Sequence, residues 1–321
     1  MRALTPERQE LIEALVAEGA PGGITAGLLE KDEHLTDALR ALFALQLEGV
    51  HLVFCGGTSL SKAYGLIERM SEDADLKVVL SDPGQASRGE IRRRLSLLKA
   101  QVIETLASIG LVEDPAKGLA FNENRYFCSE WSYARQFGSA AGLRPHLQIE
   151  LTARTPVMPA HVCRITALAD QLAGQSEPGF EAPVVAVAET VAEKVLSFLR
   201  RYAQHRAGLM RQTWDTALVR HLYDVHRILQ RQPDVLVDAR RAFPSLVVGD
   251  QKEFGTQFPD FAAAPYQVLK GALRQAREDA KIQAEFTDNL LPLIFGGGTP
   301  AFEHTFGDFE NVTLTLLDTL R

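Results

Sequence analysis

The segment from residue 51 to residue 80 constrains the fold of this chain more than any other feature. An apolar run ends in Gly56-Gly57, and Asp73-Ala74-Asp75 follows after a short polar stretch. Glycine lets the backbone approach a ligand without interference from a Cβ atom. Thr58 or Ser59 can cap a short helix whose N-terminal N–H groups favour a phosphate. The pattern predicts a strand, a glycine turn, a short helix and a second strand.

The acid pair predicts a cation site. Asp73 and Asp75 precede the β-rich run Leu76–Leu80, and residues two apart in a strand point to the same face. Neighbouring carboxylates repel each other unless a cation lies between them, and Mg²⁺ shared with substrate phosphates is the usual cation for such a pair. A phosphate cradle beside this pair indicates nucleotidyl transfer. A glycine turn followed by an acidic β-turn is the structural alternative.

These residues resemble the AbiEii/AbiGii toxin family of the polymerase-β-like nucleotidyltransferase superfamily. That family typically shows Gly-Gly-Thr-x-Leu-x-Lys and then Arg-x-Ser-x-Asp-x-Asp-Leu. The chain matches both in order and spacing, over 56–62 and 69–76. The resemblance implies an α+β fold, a mixed sheet with flanking helices followed by a helical C-terminal half. We expect an N-terminal nucleotidyltransferase domain over 1–180 and a helical domain over 181–321 that closes the active site.

The resemblance also implies roles for individual residues. Asp73 and Asp75 are the expected metal ligands, and Glu150 fits the third-carboxylate position on a neighbouring strand, although an isolated acid there can also face solvent. The implied cofactor is Mg²⁺ in a two-metal site, with an NTP as substrate. The expected nucleotide-binding residues are Gly56, Gly57, Thr58, Ser59, Lys62, Ser71 and Lys194.

Two residues of the helical half complete the expected catalytic set. Lys194 lies beside an apolar stripe, so its side chain either extends towards solvent or meets an anion. The surrounding sequence resembles the family's Ala-Glu-Lys helix, which implies phosphate binding. Asp224 lies in a segment like the family's Arg-Asp-Leu-Tyr-Asp-Leu helix, with His221 replacing the first aspartate. Asp224 could form a helical ion pair, position Lys194, or act as a base for the attacking hydroxyl.

Charged residues outside these motifs leave several interpretations open. Lys31 lies in a Glu-Lys-Asp segment that also resembles the family, and we expect mainly helix packing there, with substrate contact as the alternative. Arg92-Arg93-Arg94 indicates a solvated helix face. A second basic cluster either contacts RNA, through its arginines, or is also solvated, and it comprises Arg200, Arg201, His205, Arg206 and Arg211.

Composition narrows the classes of protein. A net charge of −7 argues against a surface coated with basic residues for indiscriminate nucleic-acid binding. No apolar run is long enough to span a bilayer, and the first residues lack a signal-peptide core, so we expect no membrane contact. Three cysteines and scattered histidines show no zinc spacing, which fits a reducing cytoplasm.

The functional hypothesis is a cytoplasmic, Mg²⁺-dependent nucleotidyltransferase of the EC 2.7.7 type. The resemblance implies the toxin of a type IV toxin–antitoxin or abortive-infection system, an RNA acceptor such as a tRNA 3′ end, and a cognate antitoxin as partner. A transferase that modifies a protein hydroxyl and a nucleotide-binding regulatory module without turnover are the alternatives.

Periodicity predicts the remaining elements. Thr5-Pro6-Glu7 indicates a helix start, and strands are expected within 125–154, split near 138–142. Residues 156–182 could be a linker or a connecting strand. Further helices are expected over 28–47, 88–109, 184–202, 213–229, 264–291 and 309–320.

Overall fold

The computed structural model describes residues 1–82, 84, 86–138, 143–175, 179–210, 214–295 and 298–321. The chain divides into two compact units. Unit 1 comprises Met1–Pro156 and Ala160–Val185, and unit 2 comprises Val157–Pro159 and Ala186–Arg321. The predicted domain division after residue 180 remains a prediction about independent folding.

Unit 1 contains five α-helices within its described residues, and three of them begin with a side-chain cap. They are α1 (Pro6–Ala17), α2 (Ala26–Phe43), α3 (Gly56–Lys62), α4 (Arg88–Ser108) and α5 (Leu168–Leu172). Thr5 accepts a hydrogen bond from Arg8 N, and Pro6 occupies the first turn of α1, as predicted. Thr25 and Ser87 cap α2 and α4 in the same way.

One mixed sheet forms the centre of unit 1. Its strands are β1 (Val50–Cys55), β2 (Asp73–Leu80), β3 (Val112–Glu113), β4 (Leu119–Phe121), β5 (Tyr126–Ser132), β6 (Leu147–Thr152), β7 (His161–Ile165) and β8 (Phe180–Val184). Their order is β3-β5-β6-β2-β1-β8-β7, and β4 also pairs with β5. β2 runs antiparallel to β1 and parallel to β6. The acid-bearing strand therefore lies inside the sheet.

One face of this sheet carries the core of unit 1. Along β2, Ala74, Leu76 and Val78 are buried among residues from α2, α4 and the neighbouring strands. The opposite positions at the start of β2, Asp73 and Asp75, are only partly buried. Because strand residues alternate between faces, burying the apolar set fixes where the carboxylates point.

Unit 2 is helical in its described residues. Its helices are α6 (Val187–Arg206), α7 (Arg220–Arg231), α8 (Val235–Phe254), α9 (Pro259–Ala263), α10 (Pro265–Glu278), α11 (Ala280–Glu285) and α12 (Phe302–Leu317). Aromatic side chains fill its interior, and Phe198 of α6 meets Phe309 of α12 edge-on. No helix in the described part of the chain is long and apolar enough to cross a bilayer.

The predicted fold class is confirmed, but several local expectations were wrong. For 156–182 the alternative of a connecting strand is correct, because the segment contributes α5 and β7, which lies at the sheet edge, and leads into β8 between β1 and β7. Helix α8 was missed, although its buried residues Ala239, Ala242, Phe243, Leu246 and Val247 follow helical spacing around the internal Pro244. Neither Thr58 nor Ser59 caps α3, which already begins at Gly56 after an N-cap at Cys55. The expected break at 138–142 falls mostly on 139–142, outside the described residues.

Candidate active site

Three carboxylates share one face of the sheet in unit 1. Asp73 and Asp75 alternate with buried residues along β2, as predicted. Parallel pairing places Glu150 of β6 directly beside Asp75. Adjacent residues in register on neighbouring strands point to the same side. Three residues that lie far apart in sequence therefore form one acidic surface.

The surroundings of Glu150 reinforce its negative character. The Tyr126 hydroxyl donates a hydrogen bond to Glu150 Oε2 at 3.0 Å. Burial raises the pKa of the Cys128 thiol to about 12, and the Glu150 carboxylate opposite contributes to that rise. A site that disfavours an additional negative charge favours a cation.

The glycine pair lies against the carboxylates. Gly56 has a φ of +77°, and a Cβ atom there would overlap the carboxylate of Asp75. A Cβ atom on Gly57 would lie 2.7 Å from Arg69 Nη2 and 2.9 Å from Ser71 Oγ. Gly56 therefore excludes a side chain through its positive φ and its contact with Asp75, whereas a Cβ atom on Gly57 would require Arg69 and Ser71 to shift. The predicted proximity of turn and acid pair has this steric origin.

The hydroxyl groups of the turn bind its own backbone. Thr58 donates to the carbonyl of Asp73 and lies 2.8 Å from Ser71 Oγ. Ser59 donates to the Gly56 carbonyl at 2.9 Å. These bonds fix α3 against the start of β2, so in this structure the three hydroxyls hold the turn together. Their predicted contact with a nucleotide stays a prediction.

Two lysines of the motif region are buried in ion pairs with carboxylates. Lys62 Nζ lies 2.7 Å from Asp32 Oδ1 and donates to Thr36 Oγ1 at 2.6 Å. Lys31 Nζ lies 2.5 Å from Glu72 Oε2, and both side chains are 1% exposed. Burial lowers the pKa of Lys31. Helix α2 thus anchors both α3 and the residue before Asp73, in line with the packing role expected for Lys31.

Arg144 is a member of this region that the sequence did not single out. Its Nη2 contacts Asp73 Oδ1, and its Nη1 donates to Gln148 Oε1 at 2.6 Å. Burial acts to lower the pKa of Arg144, but Asp73 and Glu72 raise it above its ordinary value. No periodicity could have identified Arg144, because its partner lies 71 residues away.

Lys194 and Asp224 form a buried pair within unit 2. Lys194 Nζ of α6 lies 2.7 Å from Asp224 Oδ2 of α7, with the side chains 6% and 0% exposed. The sequence assigned these residues to one site from family resemblance, and the structure brings them together. Their contact with a nucleotide or an acceptor stays a prediction.

The basic cluster of α6 divides into different environments. Arg200 donates to Asp250 Oδ2 at 2.9 Å, and its guanidinium covers the Phe254 ring at 3.6 Å. The expectation that Arg200 contacts RNA is therefore withdrawn, since its charge is buried and paired. Arg201 pairs with Asp215 at 3.0 Å and remains partly exposed, and Arg206 is exposed. Arg211 lies outside the described residues.

The acidic face fits a divalent cation that is shared with a substrate. Within the described residues, no group of three or more His, Cys, Asp or Glu side chains is arranged to hold a metal ion by itself. Mg²⁺ does not need such a cage, because it keeps several waters and binds through one or two carboxylates together with phosphate oxygens. Asp73 and Asp75 supply the oxygen ligands that it prefers, with Glu150 beside them. The donor set therefore suits Mg²⁺ better than zinc.

Similarity to known proteins identifies the family of this chain. The family described as nucleotidyl transferase AbiEii toxin, type IV TA system, matches residues 37–308. The fold is similar to that of MenT4, a nucleotidyltransferase toxin from Mycobacterium tuberculosis H37Rv, with a TM-score of 0.56 and 19% identity over 98% of this chain and 90% of that chain. JHP933 from Helicobacter pylori aligns with a TM-score of 0.41 and 14% identity, over 91% of this chain and 94% of that chain. No curated protein matches the chain.

Proposed function

The chain belongs to the AbiEii nucleotidyltransferase toxin family of type IV toxin–antitoxin systems, and from this premise we propose that it transfers a nucleoside monophosphate from an NTP to RNA. The acceptor we propose is the 3′ end of a tRNA, and the cofactor is Mg²⁺. The predicted enzyme class and family are confirmed. Type IV membership implies an antitoxin partner. NTPs and tRNA are cytoplasmic molecules, so we assign the reaction to the cytoplasm.

One observation supports this proposal above all others. The backbone of Gly56 lies against Asp75, and Asp75 lies in register with Glu150. The Asp75 carboxylate occupies the space that a Cβ atom would take at Gly56, so a phosphate bound through a cation on that carboxylate would lie next to the turn. A glycine turn with an unrelated acidic β-turn would not require this contact. Nucleotidyl transfer needs both elements together, because it depends on positioning and on neutralising phosphate charge.

We assign the metal ligands to Asp73 and Asp75, with Glu150 as the third carboxylate. A bound Mg²⁺ would neutralise phosphate charge and polarise the attacked phosphorus centre. The protein's own contribution is to hold the carboxylates on a rigid strand and to keep side chains out of the turn. Gly57 keeps Arg69 and Ser71 close behind that turn. We assign phosphate contacts to the backbone of the turn before the side chains of Thr58, Ser59, Lys62 and Ser71.

In unit 2 we assign Lys194 to the nucleotide phosphates and Asp224 to the positioning of Lys194. The short, buried contact between them supports positioning over a role as base. A carboxylate that is 0% exposed and already paired is poorly placed to accept a proton from an RNA hydroxyl. Lys194→Ala should weaken nucleotide binding and slow transfer.

The proposed RNA contacts are Arg201 and Arg206, with Arg211 retained as a sequence-based candidate. Arg206 is exposed, and the Arg201–Asp215 pair is accessible enough to exchange partners. Surface pairs of this type contribute only about 0–1 kcal/mol, so a phosphate can compete with Asp215. This acceptor surface is compatible with the acidic whole because it is local.

The test is incubation with each α-labelled NTP, Mg²⁺ and total cell RNA, followed by resolution of the labelled species. We expect labelled tRNA and released pyrophosphate from the wild type, and neither from Asp75→Asn. Asp82→Asn is the matched control, because Asp82 is exposed just beyond the other end of β2. Labelled protein in place of RNA would transfer the proposal to a protein acceptor. Nucleotide binding without release of pyrophosphate would contradict the proposal that the protein is a transferase.

A further inference from the structure

Arg144 lies where the proposed metal site meets the interior of unit 1. Its guanidinium contacts Asp73, yet the side chain is 35% exposed and that of Asp73 is 24% exposed. An arginine that neutralises a metal ligand competes with the metal for that ligand. The contact between Arg144 and Asp73 therefore indicates a role for Arg144 in the function of the site, in addition to stabilising the fold.

The main chain of Arg144 is fixed by buried groups. Its N–H donates to Glu72 Oε2 at 2.9 Å, and its carbonyl accepts from Lys31 Nζ at 2.8 Å. Burial acts to raise the pKa of Glu72, but Lys31 and Arg144 lower it below its ordinary value. The Lys31–Glu72 pair thus holds the backbone of Arg144 while the guanidinium remains at the edge of the carboxylate surface.

We propose that Arg144 is a nucleotide-binding residue that exchanges Asp73 for the triphosphate when the metal–nucleotide complex binds. This inference rests on the proposed function, because it names a further ligand for the same site. The guanidinium neutralises part of the charge that Asp73 offers to a cation, so a metal ion binds there more tightly once Arg144 has moved away. The triphosphate then supplies the anion that Arg144 has lost.

Energetic considerations favour such an exchange. The pair between Arg144 and Asp73 is partly exposed, and exposed ion pairs are weak, although the guanidinium also donates to Gln148 Oε1 at 2.6 Å and lies 3.5 Å from Glu72 Oε1. A guanidinium matches phosphate geometry with two parallel hydrogen bonds, which makes the new contact stronger than the old one. Since Lys31 and Glu72 fix the backbone, only the side chain needs to move.

The exchange predicts effects of opposite sign for Arg144→Gln. Mn²⁺ alone should bind about fivefold more tightly, because the ion no longer has to displace a guanidinium from Asp73. A non-hydrolysable NTP with Mg²⁺ should bind about tenfold more weakly, because a charged phosphate contact is lost. Electron paramagnetic resonance titration measures the first affinity and calorimetry measures the second. A purely structural role for Arg144 would weaken both.

The controls separate this inference from the proposed function. Arg88→Gln removes an exposed pair with Glu123 in the same unit and should change neither affinity. If wild-type Mn²⁺ binding survives in an Asp73→Asn, Asp75→Asn protein, the proposed metal site fails. If it requires those residues but Arg144→Gln weakens both affinities or changes only one, the exchange is overturned. Should Arg144→Gln not fold, Arg144→Lys must shift both affinities in the same opposite directions by smaller factors.

Discussion

The Arg144–Asp73 pair of unit 1 and the Lys194–Asp224 pair of unit 2 join the same charges in different environments. In the first, both side chains are about one quarter to one third exposed. In the second, the carboxylate is 0% exposed and the lysine 6% exposed. When the first pair opens, both charges lie at a partly exposed surface, where water or other ions can solvate them. Opening the second leaves a buried charge without compensation.

This difference indicates how the two pairs can be used. In the proposed function, Asp73 binds a metal ion, and its partly exposed pair with Arg144 suits an exchange of partners. In the same proposal Lys194 binds phosphate, and its buried pair with Asp224 suits a fixed orientation of the lysine. The Arg144–Asp73 pair should therefore open readily, whereas the Lys194–Asp224 pair should stay closed and stabilise the fold.

The largest expected effect is the loss of catalysis when a carboxylate of the acidic face is removed. Asp73→Asn and Asp75→Asn should each reduce transfer by about a thousandfold or more, because a lost metal clamp raises the barrier by several kcal/mol. Thermal unfolding of both variants should remain close to wild type, because relief of carboxylate repulsion offsets the loss of the partly exposed Asp73–Arg144 pair. The measurements are labelled-nucleotide transfer and the unfolding midpoint. Transfer near the wild-type rate in either variant would contradict the metal assignment.

Next in size is the stability effect at the fixed pair. Asp224→Ala should reduce the free energy of unfolding by about 3–5 kcal/mol, because Lys194 loses its buried partner. The double variant Lys194→Met, Asp224→Leu should recover most of that loss by removing both charges. Urea unfolding of the two proteins provides the measurement. An Asp224→Ala protein as stable as Asp73→Asn would remove the contrast between the pairs.

A smaller effect concerns a buried base in unit 1. His34 of α2 is 1% exposed and its ring lies 4.3 Å from that of Tyr133. Burial, assisted by the charge of Arg2, lowers its pKa to about 4 from the ordinary 6.5. The unfolded chain therefore binds a proton between pH 6.5 and 4 that the folded chain does not. His34 contributes stability above pH 6.5 that is lost as the pH falls through 4, by up to about 3 kcal/mol.

Urea unfolding across this pH range tests that prediction. The wild type should lose stability from pH 6.5 downward more steeply than His34→Phe, which keeps an aromatic ring at the site. His51→Phe is the matched control, because His51 lies exposed on β1. Identical pH profiles for the wild type and His34→Phe would mean that His34 titrates normally in the folded protein.

The smallest expected effect is on the proposed RNA surface. Neutralising Arg201 and Arg206 together should reduce the salt dependence of RNA affinity by about two phosphate contacts. Nucleotide affinity should hardly change, since neither residue belongs to the proposed nucleotide site. A salt titration of wild type and the double alanine variant measures the slopes. Parallel slopes would identify the cluster as a solvated helix face and favour a protein acceptor.

Much of the site could be predicted because its parts are close in sequence. The glycine turn and the Asp73–Asp75 pair are coded within one strand–helix–strand segment, where two-residue periodicity determines the face. Glu150 could be proposed as an acid on an apolar strand, but its register with Asp75 came from pairing of β2 with β6. The burial of Lys62 and Arg200 could not be predicted from the sequence. The carboxylate partner of Lys62 lies 30 residues before it, and that of Arg200 lies 50 residues after it.

The sequence by itself determined the family, the position of the glycine turn and the shared face of the two aspartates. Those features depend on residue identity and on spacing of one or two residues, which local backbone geometry converts directly into structure. Only the tertiary structure decided that 156–182 adds strands to the sheet, that Lys31 and Glu72 hold Arg144, and that Arg144 contacts Asp73. These depend on pairs of residues brought together by burial of the core, for which no periodic signal exists in the chain.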